Sequence, residues 1–155
     1  MYYINGDRYE GEFKNDLKEG KGVYYYKNGS RYEGNYKNGK KEGKGIYFYN
    51  SEPFKGDRYE GDFKNGLSEG KGIMYYKNGD RYEGNWKIDL KDGKGIYYYK
   101  NGDRYEGDWK SDVKEGKGIY YYKNCDREMG DYLKGKKIGT HVTLHFNGKI
   151  STNNY

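Results

Sequence analysis

The chain has little of the material from which a hydrophobic core is usually built. Of its 155 residues only 32% are hydrophobic, 35% are charged, and the mean hydropathy is −1.42. A single cysteine, Cys125, excludes an internal disulfide and fits a reducing compartment. No apolar run is long enough to cross a bilayer, and the N-terminus lacks the basic and apolar regions of a signal peptide. We therefore expect a cytoplasmic protein.

Residues that carry catalysis are also scarce. The only histidines, His141 and His145, lie four residues apart, which on a strand separates their backbones by about 13 Å, too far to share a metal ion easily. Cys125 has no histidine near it in the sequence, and no helix is predicted after any Gly-Lys-Gly triplet to form a phosphate loop. The acidic residues recur once per repeat, as structural or solubilising residues do. We predict no catalytic residue, no metal site and no cofactor, and hence no enzyme.

What the chain has in abundance is tyrosine and glycine in a regular pattern. It contains 23 Tyr and 26 Gly, and disordered segments are poor in aromatic residues. Tyr-Glu-Gly begins at residues 9, 32, 59, 82 and 105, and Gly-Lys-Gly at 20, 43, 70, 93 and 116. The period is 23 residues, with one four-residue insertion at 51–54. We predict a repeat array over 1–148, with five regular units and a degenerate sixth from Arg127, followed by a C-terminal tail, 149–155.

Each unit reads as a β-hairpin. Residues 8–14 and 21–27 form the two predicted strands, and residues 15–20 the loop between them. Asn-Gly, which favours tight turns with positive φ, follows at Asn28-Gly29 and joins one unit to the next. Short connections pair successive strands antiparallel. The predicted fold is all-β, a single-layer, open-ended antiparallel meander of about 12 strands.

The two faces of this sheet differ, because side chains alternate along a strand. One face is aromatic and glycine-rich, and glycine there leaves room for a ring over the backbone and lets the strand curve. Its aromatic residues on the first strands are Tyr9, Phe13, Tyr32, Tyr36, Tyr59, Phe63, Tyr82, Trp86, Tyr105 and Trp109. The opposite face carries an Ile/Tyr stripe: Ile46, Phe48, Ile73, Tyr75, Ile96, Tyr98, Ile119 and Tyr121. This stripe either stabilises the sheet by cross-strand contacts or is a docking surface.

The last predicted strand departs from the pattern. Val142, Leu144 and Phe146 lie on the face opposite the usual aromatic residues, while His141 and His145 take positions that glycine and tyrosine hold elsewhere. Terminal repeats are commonly atypical because they cap an array. Val142, Leu144 and Phe146 therefore form either a cap or a contact, for a homodimer through the end repeat or for a partner.

The pattern Tyr-Glu-Gly-x-aromatic-Lys-Asn-Gly, followed by Glu-Gly-Lys-Gly-Ile-x-x-Tyr-x-Asn-Gly, resembles the MORN (membrane occupation and recognition nexus) repeat. The resemblance covers residues 2–124 well and 127–148 poorly. It implies an elongated, twisted antiparallel sheet, often with a groove along one face, whose Tyr-Glu-Gly and Gly-x-Gly positions and aromatic residues mainly define the fold. It also implies scaffolding or tethering through protein–protein contacts, frequently at cytoskeletal, ciliary or cortical structures, with some members linked to membranes.

Two functions follow from this pattern and from the charge. The first is a non-catalytic scaffold that binds a partner segment along the aromatic groove or the Ile/Tyr stripe, as part of a larger assembly. The second rests on the net charge of +6 and pI near 9.0: a peripheral module that binds anionic phospholipids at the inner face of the plasma membrane. Nucleic-acid binding is disfavoured, since Glu is interspersed among the basic and aromatic residues.

Overall fold

The computed structural model describes all 155 residues and contains thirteen β-strands and no helix. In the sheet the strands follow one another in chain order, which confirms the predicted all-β antiparallel meander. The strands are β1 Arg8–Lys14, β2 Leu17–Tyr25, β3 Arg31–Lys37, β4 Lys40–Phe48, β5 Arg58–Lys64, β6 Leu67–Tyr75, β7 Arg81–Lys87, β8 Leu90–Tyr98, β9 Arg104–Lys110, β10 Val113–Tyr121, β11 Arg127–Leu133, β12 Lys136–Leu144 and β13 Ile150–Asn154. The last of these lies in the segment 149–155, which was predicted as a tail.

Contacts between Cα atoms group the strands into two compact units. The first unit comprises Met1–Lys77 with Lys87–Asp89, and the second comprises Asn78–Trp86 with Leu90–Tyr155.

The second strand of each hairpin begins earlier than the sequence predicted. The segment 15–20 is not a loop: Asn15 and Asp16 alone form the turn, both with positive φ (49° and 60°), and β2 starts at Leu17. Asn and Asp tolerate this left-handed backbone better than most residues. Against β1, β2 contains a bulge, because Gly11 pairs with Gly22 while Phe13 pairs with Lys18. Gly20, at φ +64°, supplies the backbone that the bulge needs.

The core of each hairpin is a tyrosine ring lying over two facing glycines. Tyr9 is fully buried, and its hydroxyl donates to the carbonyl of Glu12 at 3.1 Å. A methyl group at Gly22 would meet the Tyr9 hydroxyl oxygen at 2.3 Å, so only glycine fits beneath the ring. The ring also makes edge contacts with Phe13 and Tyr36, each at a centroid distance of 5.1 Å. Each triplet tyrosine in the other regular units is equally buried: Tyr32, Tyr59, Tyr82 and Tyr105.

The recurring aspartates of the hairpin connections tie one repeat to the next. Asp7 accepts hydrogen bonds from the backbone N–H of Lys27 and the hydroxyl of Tyr24, both at 2.8 Å. These two bonds, the backbone one first, hold the pKa of Asp7 below its ordinary value. Asp103 binds the backbone of Lys123 at 2.8 Å in the same way. The periodic acids at these positions are therefore structural.

The sixth repeat exchanges the roles of two core positions. Glu128 stands where the other repeats have tyrosine, and His141 stands where they have the second glycine. The imidazole of His141 is fully buried over Gly130, and its Nε2 lies 2.9 Å from the carbonyl of Asp131, the position that a tyrosine hydroxyl contacts in the regular repeats. Its Nδ1 lies 3.1 Å from Glu128. Tyr155 packs against the His141 ring at 5.0 Å, so the C-terminal residue continues the aromatic series.

Candidate partner-binding face

The aromatic residues that the sequence singled out form the interior of the aromatic face. Of the ten first-strand residues, only Phe13 is exposed, at 41%, because no preceding repeat supplies a tyrosine to cover it. The other nine are buried, and the five triplet tyrosines among them expose no surface. Partner contacts on this face must therefore come from the more exposed side chains beside these rings.

A ladder of half-buried tyrosines lies beside the buried rings on the same face. We call Tyr24, Tyr26, Tyr47 and Tyr49 in the first unit, and Tyr97, Tyr99, Tyr120 and Tyr122 in the second, the tyrosine ladder. Successive rings in the first unit lie 4.6, 5.6 and 4.5 Å apart, and those in the second unit lie 4.7, 5.6 and 4.7 Å apart. Burial raises the pKa of Tyr99 to about 12, so its ring stays neutral at physiological pH. The ladder is a continuous neutral aromatic surface in each unit.

A row of lysines, which the sequence analysis did not single out, shares this face with the rings. These caged lysines are Lys18 and Lys41 in the first unit, and Lys91, Lys114 and Lys137 in the second. The Lys18 ammonium lies 4.4 Å from the Tyr24 ring centroid, and the Lys41 ammonium lies 4.7 Å from that of Tyr47. Cation–π attraction at such distances contributes about 0.5–2 kcal/mol. The row was missed because these residues were placed in a loop, where side chains have no defined face.

The caged lysines differ in their partners. Lys137 forms an ion pair with Glu128 at 2.7 Å, and Lys91 a longer one with Asp112 at 3.9 Å. Lys114 has rings around it, Tyr105 at 4.3 Å being the nearest, but no carboxylate within ion-pair distance. Burial, and then the charge of Lys137, lower the pKa of Lys114 to about 8.

In the first unit neither caged lysine forms an ion pair. Burial lowers the pKa of Lys18 and of Lys41, and the more distant charges of Asp7 and Asp89 oppose this only in part. In the third repeat the corresponding residue is Ser68, which is buried and donates its hydroxyl to Asp89 at 2.8 Å. The fold therefore accepts a residue without charge at this position.

The opposite face is partly covered by arginine side chains. All eight stripe residues are half-buried. The Arg31 guanidinium lies 4.4 Å from the Phe48 ring centroid and forms an ion pair with Glu33 at 2.7 Å. The same stacking recurs for Arg58 on Tyr75, Arg81 on Tyr98 and Arg104 on Tyr121, at 3.9–4.4 Å. These contacts favour cross-strand stabilisation over docking for the stripe.

The C-terminal hydrophobic residues continue this stripe into the last repeat. Val142 pairs with Thr152 and Leu144 with Ile150, so strand β12 has a neighbour on each side. Phe146 lies beyond the end of β12 and is 78% exposed. The choice between a cap and a dimer contact stays a prediction for these three residues.

The remaining candidates for chemistry are isolated from one another. His145 lies 2.9 Å from Asp126 and 2.9 Å from Ser151, whereas His141 is part of the buried core. Cys125 is an exposed thiol in a turn, with φ +72°. No three His, Cys, Asp or Glu side chains are grouped to hold a metal ion. The structure contains no helix that is long and apolar enough to cross a membrane.

Tandem hairpins with an aromatic face define a β-hairpin repeat protein. The family model of the MORN repeat matches five consecutive segments, 9–31, 32–52, 59–81, 82–104 and 105–126, which together make up more than half of the chain. The protein therefore belongs to the MORN-repeat family, as the sequence pattern indicated. A search of curated proteins gave no match.

Two solved structures are similar to this chain. The TCP domain of SAS-4 (dCPAP) of Drosophila melanogaster, solved in complex with a proline-rich motif of Ana2 (dSTIL), is 16% identical, with 99% of this chain and 81% of that chain covered and a TM-score of 0.64. The TCP10 domain of Danio rerio CPAP is 13% identical over 99% of this chain and 92% of that chain, with a TM-score of 0.37. At such a low identity, the similarity to the SAS-4 TCP domain shows a shared fold and nothing more.

Proposed function

We propose that this protein is a non-catalytic scaffold that binds an extended segment of a partner protein on its aromatic face. The observation that carries the proposal is the tyrosine ladder, which in each unit is a continuous run of half-buried rings beside ammonium groups. Aromatic rings supply large contact areas with little loss of side-chain entropy, and tyrosine is enriched where proteins bind one another.

The opposite face supports binding less well. Its four rings already stack on guanidinium groups, and three of these groups are paired with glutamates, as for Arg58 on Tyr75 with Glu60 at 2.9 Å. A partner that docks there has to displace these contacts. In support of a peptide-binding role, the SAS-4 TCP domain, which shares the fold, was solved with a bound proline-rich motif. Family membership favours an assembly at a cytoskeletal, ciliary or cortical structure as the setting.

Selection of peptides from a random displayed library on the whole chain tests this proposal. Strand β8 offers matched variants, because Tyr97 and Tyr99 lie on the aromatic face while Ile96 and Tyr98 lie on the other. We expect selected peptides to lose binding to the Tyr97→Ser/Tyr99→Ser variant and to retain binding to Ile96→Ser/Tyr98→Ser. Circular dichroism and thermal melts check that both variants keep the fold.

The opposite result, with loss only in the Ile96→Ser/Tyr98→Ser variant, assigns docking to the Ile/Tyr stripe. A library that yields no peptide refutes the scaffold. The alternative, binding to anionic phospholipids, is tested by sedimentation with phosphatidylserine vesicles and neutral vesicles. Stronger binding to the anionic vesicles, abolished by high salt, supports it.

A further inference from the structure

The spacing of the repeats suggests which backbone conformation a bound segment has. Each repeat contributes two strands, and neighbouring strands in a sheet lie about 4.8 Å apart, so equivalent side chains of adjacent repeats are about 10 Å apart. In the first unit, Lys18 on β2 and Lys41 on β4 are such a pair. Tyr24 and Tyr47 of the tyrosine ladder are another.

A segment lying across the strands matches this spacing if it forms a polyproline II helix. That helix has three residues per turn and rises 3.1 Å per residue, so every third side chain points the same way, about 9.3 Å further on. An extended β-strand presents side chains on one side about every 6.7 Å and falls out of step with the repeats. Aromatic surfaces are also the surfaces that bind polyproline II segments in proteins.

The positive charge of this face indicates that the bound segment carries acidic side chains. Lys18 and Lys41 are half-buried against the Tyr24 and Tyr47 rings. Neither ammonium group has a carboxylate within ion-pair distance, and burial lowers the pKa of both. A carboxylate placed on either of them gains a charge-assisted hydrogen bond in surroundings where such bonds are strong. Lys91 and Lys137, by contrast, already have Asp112 and Glu128.

We propose that the aromatic face of the first unit binds a polyproline II segment of a partner protein in which two acidic residues stand three positions apart, one carboxylate on Lys18 and the other on Lys41. This inference rests on the proposed function and specifies the partner's chemistry. In the second unit Lys114 is the equivalent subsite for a single carboxylate, because its neighbours in the row are already paired.

Synthetic peptides test the spacing directly. The probes are labelled twelve-residue polyprolines that contain two glutamates placed two, three or four positions apart, together with one that has two glutamines three positions apart. Binding to the full chain is measured by fluorescence anisotropy at low and high salt. We expect the three-position peptide to bind at least about threefold tighter than the other glutamate peptides, and the glutamine peptide about tenfold more weakly than the three-position glutamate peptide.

Matched lysine variants locate the site. Lys18→Met and Lys41→Met keep the apolar stem and remove the charge, and each is expected to abolish the advantage of three-position spacing. Lys21→Met and Lys44→Met change exposed lysines on the opposite face of the same strands, and they are expected to preserve it. Because Ser68 already replaces this lysine in the third repeat, the fold is expected to survive both changes.

The outcomes separate this inference from the proposed function. Equal affinity for the three spacings, insensitivity to Lys18→Met and Lys41→Met, or no binding of any probe overturns the inference. If the displayed library nevertheless yields peptides that need Tyr97 and Tyr99, the scaffold stands and only the acidic polyproline II segment is rejected. If neither the probes nor the library give a ligand, both proposals fail.

Discussion

Restoring the regular core in the sixth repeat probes the exchange between tyrosine and histidine. His141→Gly removes a buried ring and leaves Glu128 without its imidazole partner, which we expect to cost about 3 kcal/mol of unfolding free energy. Glu128→Tyr alone places a second ring in the space over Gly130 that His141 fills, at a cost of about 2–3 kcal/mol.

The double variant, Glu128→Tyr with His141→Gly, recreates the arrangement of Tyr9 over Gly11 and Gly22. The hydroxyl of the introduced tyrosine reaches the carbonyl of Asp131. Lys137 loses its ion pair with residue 128 and becomes an unpaired caged lysine. We expect the double variant to lie within about 1–2 kcal/mol of the natural protein, so the coupling energy is at least about 3 kcal/mol, at or above the upper end of what neighbouring residues show.

Urea denaturation followed by circular dichroism measures the three free energies, and hydrogen exchange of the amides in β11 and β12 localises the change, because repeat arrays need not unfold as one unit. Additive costs, with the double variant less stable than either single variant, would show that the His141 ring does not occupy the tyrosine's place. Glu128→Gln is the control, since it keeps the side-chain volume and removes only the charge.

Three further predictions concern the core, the caged lysines and the hairpin aspartates. Gly95→Ala places a methyl group 2.3 Å from the Tyr82 hydroxyl oxygen, so we expect urea denaturation to show a loss of about 3 kcal/mol or more of unfolding free energy. The control Gly139→Ala is strained only by its positive φ and is expected to lose about 1–2 kcal/mol. Lys114→Met is expected to raise the melting temperature at pH 7. As the pH rises from about 8 to 9.5, the natural protein should become more stable relative to the variant, because the lowered pKa of Lys114 makes the unfolded chain bind more protons than the folded chain in this range. Equal pH profiles of the two proteins would contradict this. The pKa of Asp126 is lowered first by the hydrogen bond from the N–H of Phe146 and then by His145, so Asp126 contributes stability that is present above the unfolded pKa near 4 and is lost as pH falls through the folded value. Thermal melts of Asp126→Asn should therefore show a smaller fall of melting temperature with falling pH than those of the natural protein. An equal fall in both proteins would count against this role.

The sequence determined the repeat and the identity of its core, since both follow from local spacing. The period, the hairpins and the place of glycine under each triplet tyrosine were predictable because a ring over a strand needs a neighbour without a side chain. The membership of the MORN family followed from the same positions. The segment 15–20 was predicted as a loop because its polar and glycine residues look like one, although only Asn15 and Asp16 turn the chain.

Only the tertiary structure decided which surface is available to a partner. The caged lysines could not be recognised as a group from the sequence. Lys18 lies on the aromatic face because it is part of strand β2, whereas the sequence placed it in a loop. The exchange at Glu128 and His141 looked like degeneration, because complementarity between positions 13 residues apart depends on strand pairing. Burial and the presence or absence of a carboxylate beside each ammonium arise from packing between repeats, and no period along the chain encodes them.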